Sequence, residues 1–119
     1  MRVIITGSRR WKDRKRIENR LFDLAIEHAG NLDDLVIVHG SAKGADRIAH
    51  QEAEKAGLRV EPHPADWEQY GKRAGVIRNE EMAELGGDLC IAFWDGRSKG
   101  TADMMERAKE HGIPVEVIV

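Results

Sequence analysis

At 119 residues, 41% hydrophobic and 34% charged, the chain has the size and balance of one globular domain with a real core. It contains no run of about 18 apolar residues, and it runs straight into Val3-Ile4-Ile5 without the basic-then-apolar layout of a signal peptide. The expectation is one domain over residues 1–119, cytoplasmic and without membrane contact. Nineteen basic against 21 acidic side chains give a formal charge of −2, which argues against a protein whose main business is coating nucleic acid.

Arg2-Val3-Ile4-Ile5-Thr6 is β-branched and unrelieved, as in a central parallel strand covered on both faces, and it ends in Gly7-Ser8-Arg9-Arg10. Residues 9 to 16 then hold six basic side chains against Asp13 alone, which reads either as a solvated helix start or as an electropositive rim for a polyanion. Asp13 suits a helix cap, Ile17, Leu21, Leu24, Ala25 and His28 fall at helical spacing, and Gly30 is the stop. No apolar patch that would serve as an interface is legible on this helix. Leu35 to Val38 is the second strand, followed by His39-Gly40-Ser41-Ala42-Lys43-Gly44-Ala45-Asp46 and a helix closed by Gly57. Leu58 to Glu61 is a weaker third strand, and Pro62 to Trp67 a longer connection. A helix is predicted near Lys72 to Leu85 with Ala74, Ile77, Met82 and Leu85 as its inner stripe, ended by Gly86-Gly87. Asp88 to Phe93 is the fourth strand, and Cys90 inside it reads as a small core residue. Trp94 to Gly100 is its loop, Thr101 the next helix cap, Gly112 the stop, and Ile113 to Ile118 a fifth strand.

Strand and helix alternate throughout with connections too long for hairpins, so the fold class is α/β, a mostly parallel five-stranded sheet with helices on both faces. Ligands in such sheets gather outside the carboxyl ends of the strands. Three glycine-bearing loops leave those ends: Gly7 to Arg10, Gly40 to Gly44 and Gly96 to Gly100. The second is neither a Walker A loop nor GxGxxG, and such a loop alone is more often a tight turn than an anion cradle; its companions favour the cradle. Trp11, Trp67 and Trp94 all follow strands and should share that edge, either capping the core or stacking on a base. Arg78 lies in line with Ala74 and Met82 on the inner stripe, so it needs a partner: Glu81, Asp46 or a ligand anion. His39, His50 and His63 look dispersed and Cys90 is alone, so no metal site is expected.

Four motifs carry a resemblance over nearly the whole chain: Val3-Ile4-Ile5-Thr6-Gly7-Ser8-Arg9; His39 to Asp46; Ala65-Asp66-Trp67 with Gly71, Ala74-Gly75 and Arg78-Asn79 through Met82; and Lys99-Gly100-Thr101. In these the sequence resembles the YspA-related branch of the SLOG superfamily of Rossmann-like nucleotide-derivative binders. The resemblance implies a three-layer Rossmann-like sandwich and a ligand class better than a reaction. That class covers nucleotides and NAD- or ADP-ribose-like molecules, with no certain cofactor.

One departure bears on chemistry. The phosphoribohydrolases of the superfamily share a PGGxGTxxE loop, and here Met104 stands where their glutamate is expected. The weak catalytic candidates are therefore Asp46, Asp95 and Asp103. The ligand-binding candidates are Gly7, Ser8 and Arg9; Gly40, Ser41, Lys43, Gly44 and Asp46; Trp67; Arg78 and Asn79; and Trp94, Gly100 and Thr101. The leading expectation is a small binding or sensing domain for a nucleotide-like molecule. Its competitors are a hydrolase or transferase acting on an N-glycosidic or phosphoester bond, and a single-stranded DNA-binding protein. Self-association stays open.

Overall fold

The computed structural model describes all residues, Met1 to Val119. In chain order the elements are β1 (Arg2–Gly7), α1 (Arg14–Glu27), β2 (Val36–His39), α2 (Ala45–Lys55), β3 (Arg59–Pro62), α3 (Trp67–Tyr70), α4 (Ala74–Leu85), β4 (Leu89–Phe93), α5 (Lys99–Glu110) and β5 (Val115–Ile118). The sheet order is β3-β2-β1-β4-β5 and all four ladders are parallel. In β1, Ile4 sits between Val38 of β2 and Cys90 of β4.

Side chains of a strand alternate between faces, and β1 divides accordingly. Val3 and Ile5 join Ile17, Leu21 and Leu24 of α1 and Ala45, Ala49 and Ala53 of α2 in one core. Ile4 faces the other side with Met82, Ala83, Met104 and Ala108 of α4 and α5. Burial on both faces is why β1 reads as an unbroken apolar run. Cys90 is buried in this second core, and burial pushes its thiol up to about 12.

Four expectations are corrected. The helix predicted near Lys72 to Leu85 is preceded by a further short one: Gly71, at φ +57°, ends α3, a 3₁₀ turn covers Gly71–Arg73, and the predicted helix, α4, starts at Ala74. Its buried face is Ala74, Asn79, Met82 and Ala83, while Leu85 is 60% exposed at the frayed end. The cap of α5 is Ser98 rather than Thr101: the Ser98 hydroxyl accepts the Thr101 N–H and exchanges a hydrogen bond with the Thr101 hydroxyl. Finally, α1 does carry exposed apolar side chains, since Phe22 and Ile26, one turn apart, are 63% and 58% exposed. No helix is long and apolar enough to cross a membrane.

In the order 3-2-1-4-5 the chain reverses direction across the sheet between β1 and β4, which opens a crevice between the loops after those strands. Glycine makes the crevice by letting those loops meet. A Cβ on Gly7 would come within 2.7 Å of the Phe93 carbonyl, and one on Gly44, at φ +77°, would strike the Ser8 and Arg9 backbone.

Candidate functional site

The loop after β2 is held by two side chains from its flanks. Asp46, in the first turn of α2, folds back so that Oδ2 accepts the backbone N–H groups of Gly40 (3.0 Å) and Ala42 (3.2 Å). His39, the last residue of β2, accepts the Ser41 N–H on Nδ1 at 2.9 Å. That bond fixes the imidazole proton on Nε2, which donates to Nδ1 of His50 at 2.7 Å, and His50 Nε2 in turn faces Glu54 at 2.7 Å. The histidines that look dispersed in sequence are thus partly joined. Burial, followed by the nearby His50, His63 and Arg78, pushes His39 down to about 4, so it is neutral near pH 7. Ser41 itself takes φ +59°, an uncommon conformation for a residue with a side chain.

Arg78 reaches this loop from α4. Its Nη1 donates to the Gly40 carbonyl and, at 3.4 Å, to that of His63; Nε donates to Asn79 Oδ1 at 3.0 Å. Of the partners considered for Arg78, Glu81 forms no ion pair with it and is exposed. Burial lowers the Arg78 pKa and the Asp46 charge opposes that shift. Asp46 is 5% exposed, and burial, opposed in turn by the Ala42 N–H, Arg78 and the Gly40 N–H, pushes it up to about 6. Its second oxygen, Oδ1, has no hydrogen-bond partner.

Two adjoining clefts open on this framework. One, of about 300 Å³, is bounded by Thr6, Gly7 and Arg9 after β1, by Ala42 and Asp46, by Arg78, Asn79 and Met82 of α4, and by Ser98 to Thr101 at the start of α5. The N–H groups of Lys99 and Gly100 open the helix and have no intrahelical acceptor, so they present an anion-seeking end. The other cleft, of about 610 Å³, is bounded by Gly40 to Lys43, Pro64, Ala65 and Trp67, and shares Arg9, Ala42 and Arg78 with the first.

Most of the sequence candidates meet at these clefts: Gly7, Arg9, Gly40, Ser41, Lys43, Asp46, Trp67, Arg78, Asn79, Gly100 and Thr101. Gly44 stands behind them as the contact between two loops. Four candidates lie elsewhere. Ser8 is 1% exposed and its hydroxyl accepts the Asp95 N–H at 3.1 Å, so it fastens the loops after β1 and β4. Asp95 closes its own turn by accepting the Arg97 (2.8 Å) and Ser98 (2.9 Å) N–H groups. Trp94 donates to the Ser98 carbonyl at 3.0 Å and lines neither cleft. Asp103 accepts from Asn79 and Arg107, both at 2.9 Å, and brackets α4 to α5.

The tryptophans consequently divide between the two roles left open. Trp11 packs edge-on against Phe93 with ring centroids 5.5 Å apart, a core cap, whereas Trp67 is 51% exposed at the second cleft. Of the basic run, Arg14 bonds Glu52 and Gln51 and Lys15 bonds Glu18, leaving Arg9, Arg10, Lys12 and Arg16 outside any ion pair. Thr6, Ala42, Ser98 and Lys99 were not candidates in the sequence. For Lys99 and Ser98 the signal was present: a serine three residues before a threonine, opening an amphipathic helix after a glycine loop.

A parallel sheet with this strand order and a cleft at its switch point defines a Rossmann-like α/β domain. The chain belongs to the YspA, cpYpsA-related SLOG family, whose sequence profile matches residues 1–70. It is 50% identical over 119 aligned residues to the gene 61 protein of Mycobacterium phage D29, covering 96% of this chain and 93% of that one. Among solved structures it resembles DNA processing protein A (DprA) from Streptococcus pneumoniae, with TM-score 0.74 and 25% identity. That match covers 99% of this chain and 50% of DprA, so the chain spans half of that protein's length. The C-terminal domain of a Pyrococcus furiosus hydrogenase shares the fold at TM-score 0.53 and 24% identity, over 99% of this chain and 91% of the other.

Proposed function

We propose that the protein binds or senses a nucleotide or nucleotide-derived ligand at the carboxyl edge of the sheet. The observation that carries the reading is the convergence in one cleft of Arg9, Arg78, Lys99 and the open start of α5, against Asp46 as the cleft's one carboxylate. A phosphate there meets backbone N–H donors and a helix dipole of the right sign, and the guanidinium of Arg9, outside any ion pair, adds paired donors. The exposed face of Trp67 in the adjoining cleft suits a base. Membership of the SLOG family and likeness to DprA point to the same broad area, nucleotide- or DNA-related function.

The test is a panel of nucleotides, NAD, ADP-ribose and cyclic oligonucleotides in calorimetry and thermal shift. A ligand at about 100 times its dissociation constant stabilises the fold by roughly 2.7 kcal/mol, several degrees for a domain of this size. No response to any of them at millimolar concentration refutes the reading.

A second reading, hydrolysis or transfer at an N-glycosidic or phosphoester bond, is favoured by one feature. Asp46 lines the cleft with a pKa near 6, which suits a general acid or base near neutrality. Chromatography of the same panel after incubation decides it, and turnover retained by Asp46→Asn leaves that assignment without support.

A further inference from the structure

Asp46 has a position in the clefts that phosphate binding does not use. One oxygen is taken by the Gly40 and Ala42 N–H groups, and Oδ1 has no partner although the residue is 95% buried. A carboxylate only accepts hydrogen bonds, and a buried acceptor left without a donor is costly. The nearest long cation does not satisfy it, because Arg78 is engaged with the Gly40 and His63 carbonyls and with Asn79. Asp46 lines the first cleft, so a group that enters the cleft is placed to supply that donor. That group must bring an O–H or N–H into a site whose other walls seek an anion, so a bare phosphate does not suffice.

The order of the walls says which part of a ligand Asp46 meets. Asp46 shares the first cleft with Lys99, Gly100 and Thr101, while its neighbours Ala42 and Arg78 also line the second cleft with Trp67. A molecule lying across both has an anionic end at the start of α5, a flat end on Trp67 and a linking part beside Asp46. Resting on the nucleotide-binding reading above, we infer that Asp46 reads the sugar. Its Oδ1 accepts hydrogen bonds from the 2′- and 3′-hydroxyls of a ribonucleotide, and the site thereby prefers ribonucleotides to deoxyribonucleotides.

The experiment titrates the protein by calorimetry with each of the four ribonucleoside 5′-monophosphates and with their 2′-deoxy and 3′-deoxy forms. Hydrogen bonds to a charged group are strong, so loss of either hydroxyl should weaken binding about ten- to a hundredfold. In Asp46→Asn an amide N–H₂ replaces the accepting oxygen, and the ratio should fall below about threefold while the unliganded melting temperature is not lowered. Equal affinity of wild type for ribo and deoxy forms overturns the inference and leaves the nucleotide site standing. So does binding of ADP-ribose with none of the monophosphates. Silence of the whole panel overturns both. The wild-type ratio alone decides the matter should the variant fail to fold.

Discussion

Removing the titration of Asp46 should change how stability depends on pH, in a direction and by an amount that its surroundings set. Burial raises the carboxyl from its ordinary 3.8 to about 6, so the folded chain holds that proton more tightly than the unfolded chain does. A raised folded pKa gives a contribution that is complete below pH 3.8 and is lost as pH rises through about 6. The gap between those two values, at about 1.4 kcal/mol per unit, is worth about 3 kcal/mol. Asp46→Asn keeps the shape and one acceptor oxygen for the Gly40 and Ala42 N–H groups but cannot titrate. Whatever constant cost the amide carries, the stability difference between variant and wild type should move toward the variant by about 2 to 3 kcal/mol between pH 4 and pH 8. His39 titrates in the opposite sense and cancels in the subtraction. Urea unfolding followed by tryptophan fluorescence at constant ionic strength, with equal slopes in both proteins, measures it. A difference flat to within about 0.5 kcal/mol across that range would falsify the account of Asp46 as a buried, strained acid.

His39, buried with a pKa pushed down to about 4, contributes stability that is present above pH 6.5 and lost as pH falls through about 4; an NMR titration should find its ring neutral at pH 5.5, and a midpoint near 6.5 would refute its burial as a neutral ring. Arg78→Lys should cost roughly 1 to 3 kcal/mol in the unliganded protein, because a lysine cannot serve the Gly40 and His63 carbonyls and Asn79 together; an unchanged melting temperature would show that these bonds do not matter. Ser98→Ala should cost about 1 kcal/mol by uncapping α5 and leave the base end of the site alone, which thermal denaturation checks. Met104→Glu, the change that writes the phosphoribohydrolase-like glutamate into the motif, should destabilise by several kcal/mol without conferring cleavage, since Met104 is fully buried in the α4/α5 core; a stable variant that releases base from a nucleotide would contradict this.

How far the sequence carried depended on whether a residue's role was local. The five strands, a mostly parallel sheet and the three loops on one edge follow from apolar runs such as Val3 to Ile5 and from glycines at their ends, while the strand order and the parallel sense of every ladder show only in the structure. The short helix α3 did not show, because the four residues Trp67–Tyr70 are too few to carry a helical period before Gly71. Ser8 and Asp95 stand out in the sequence for their place after strands, and Asp103 for its place beside Met104. Whether such a side chain faces a cleft or fastens two loops depends on partners far along the chain, as in the bond from Asp95 to Ser8. Asp46 and Asp95 illustrate the limit. Asp46 ends one glycine-bearing loop and Asp95 begins another, and both accept two backbone N–H groups from their own loop. Asp95 does so with Oδ1 at an exposed turn, where water serves the rest of the carboxylate and its pKa is lowered. Asp46 does so buried beside Arg78 of α4, and with the same two bonds its pKa is raised and its Oδ1 has no protein partner. The two carboxylates accept from their own loops alike, so the packing of α4, far along the chain from Asp46, is what sets their pKa values apart.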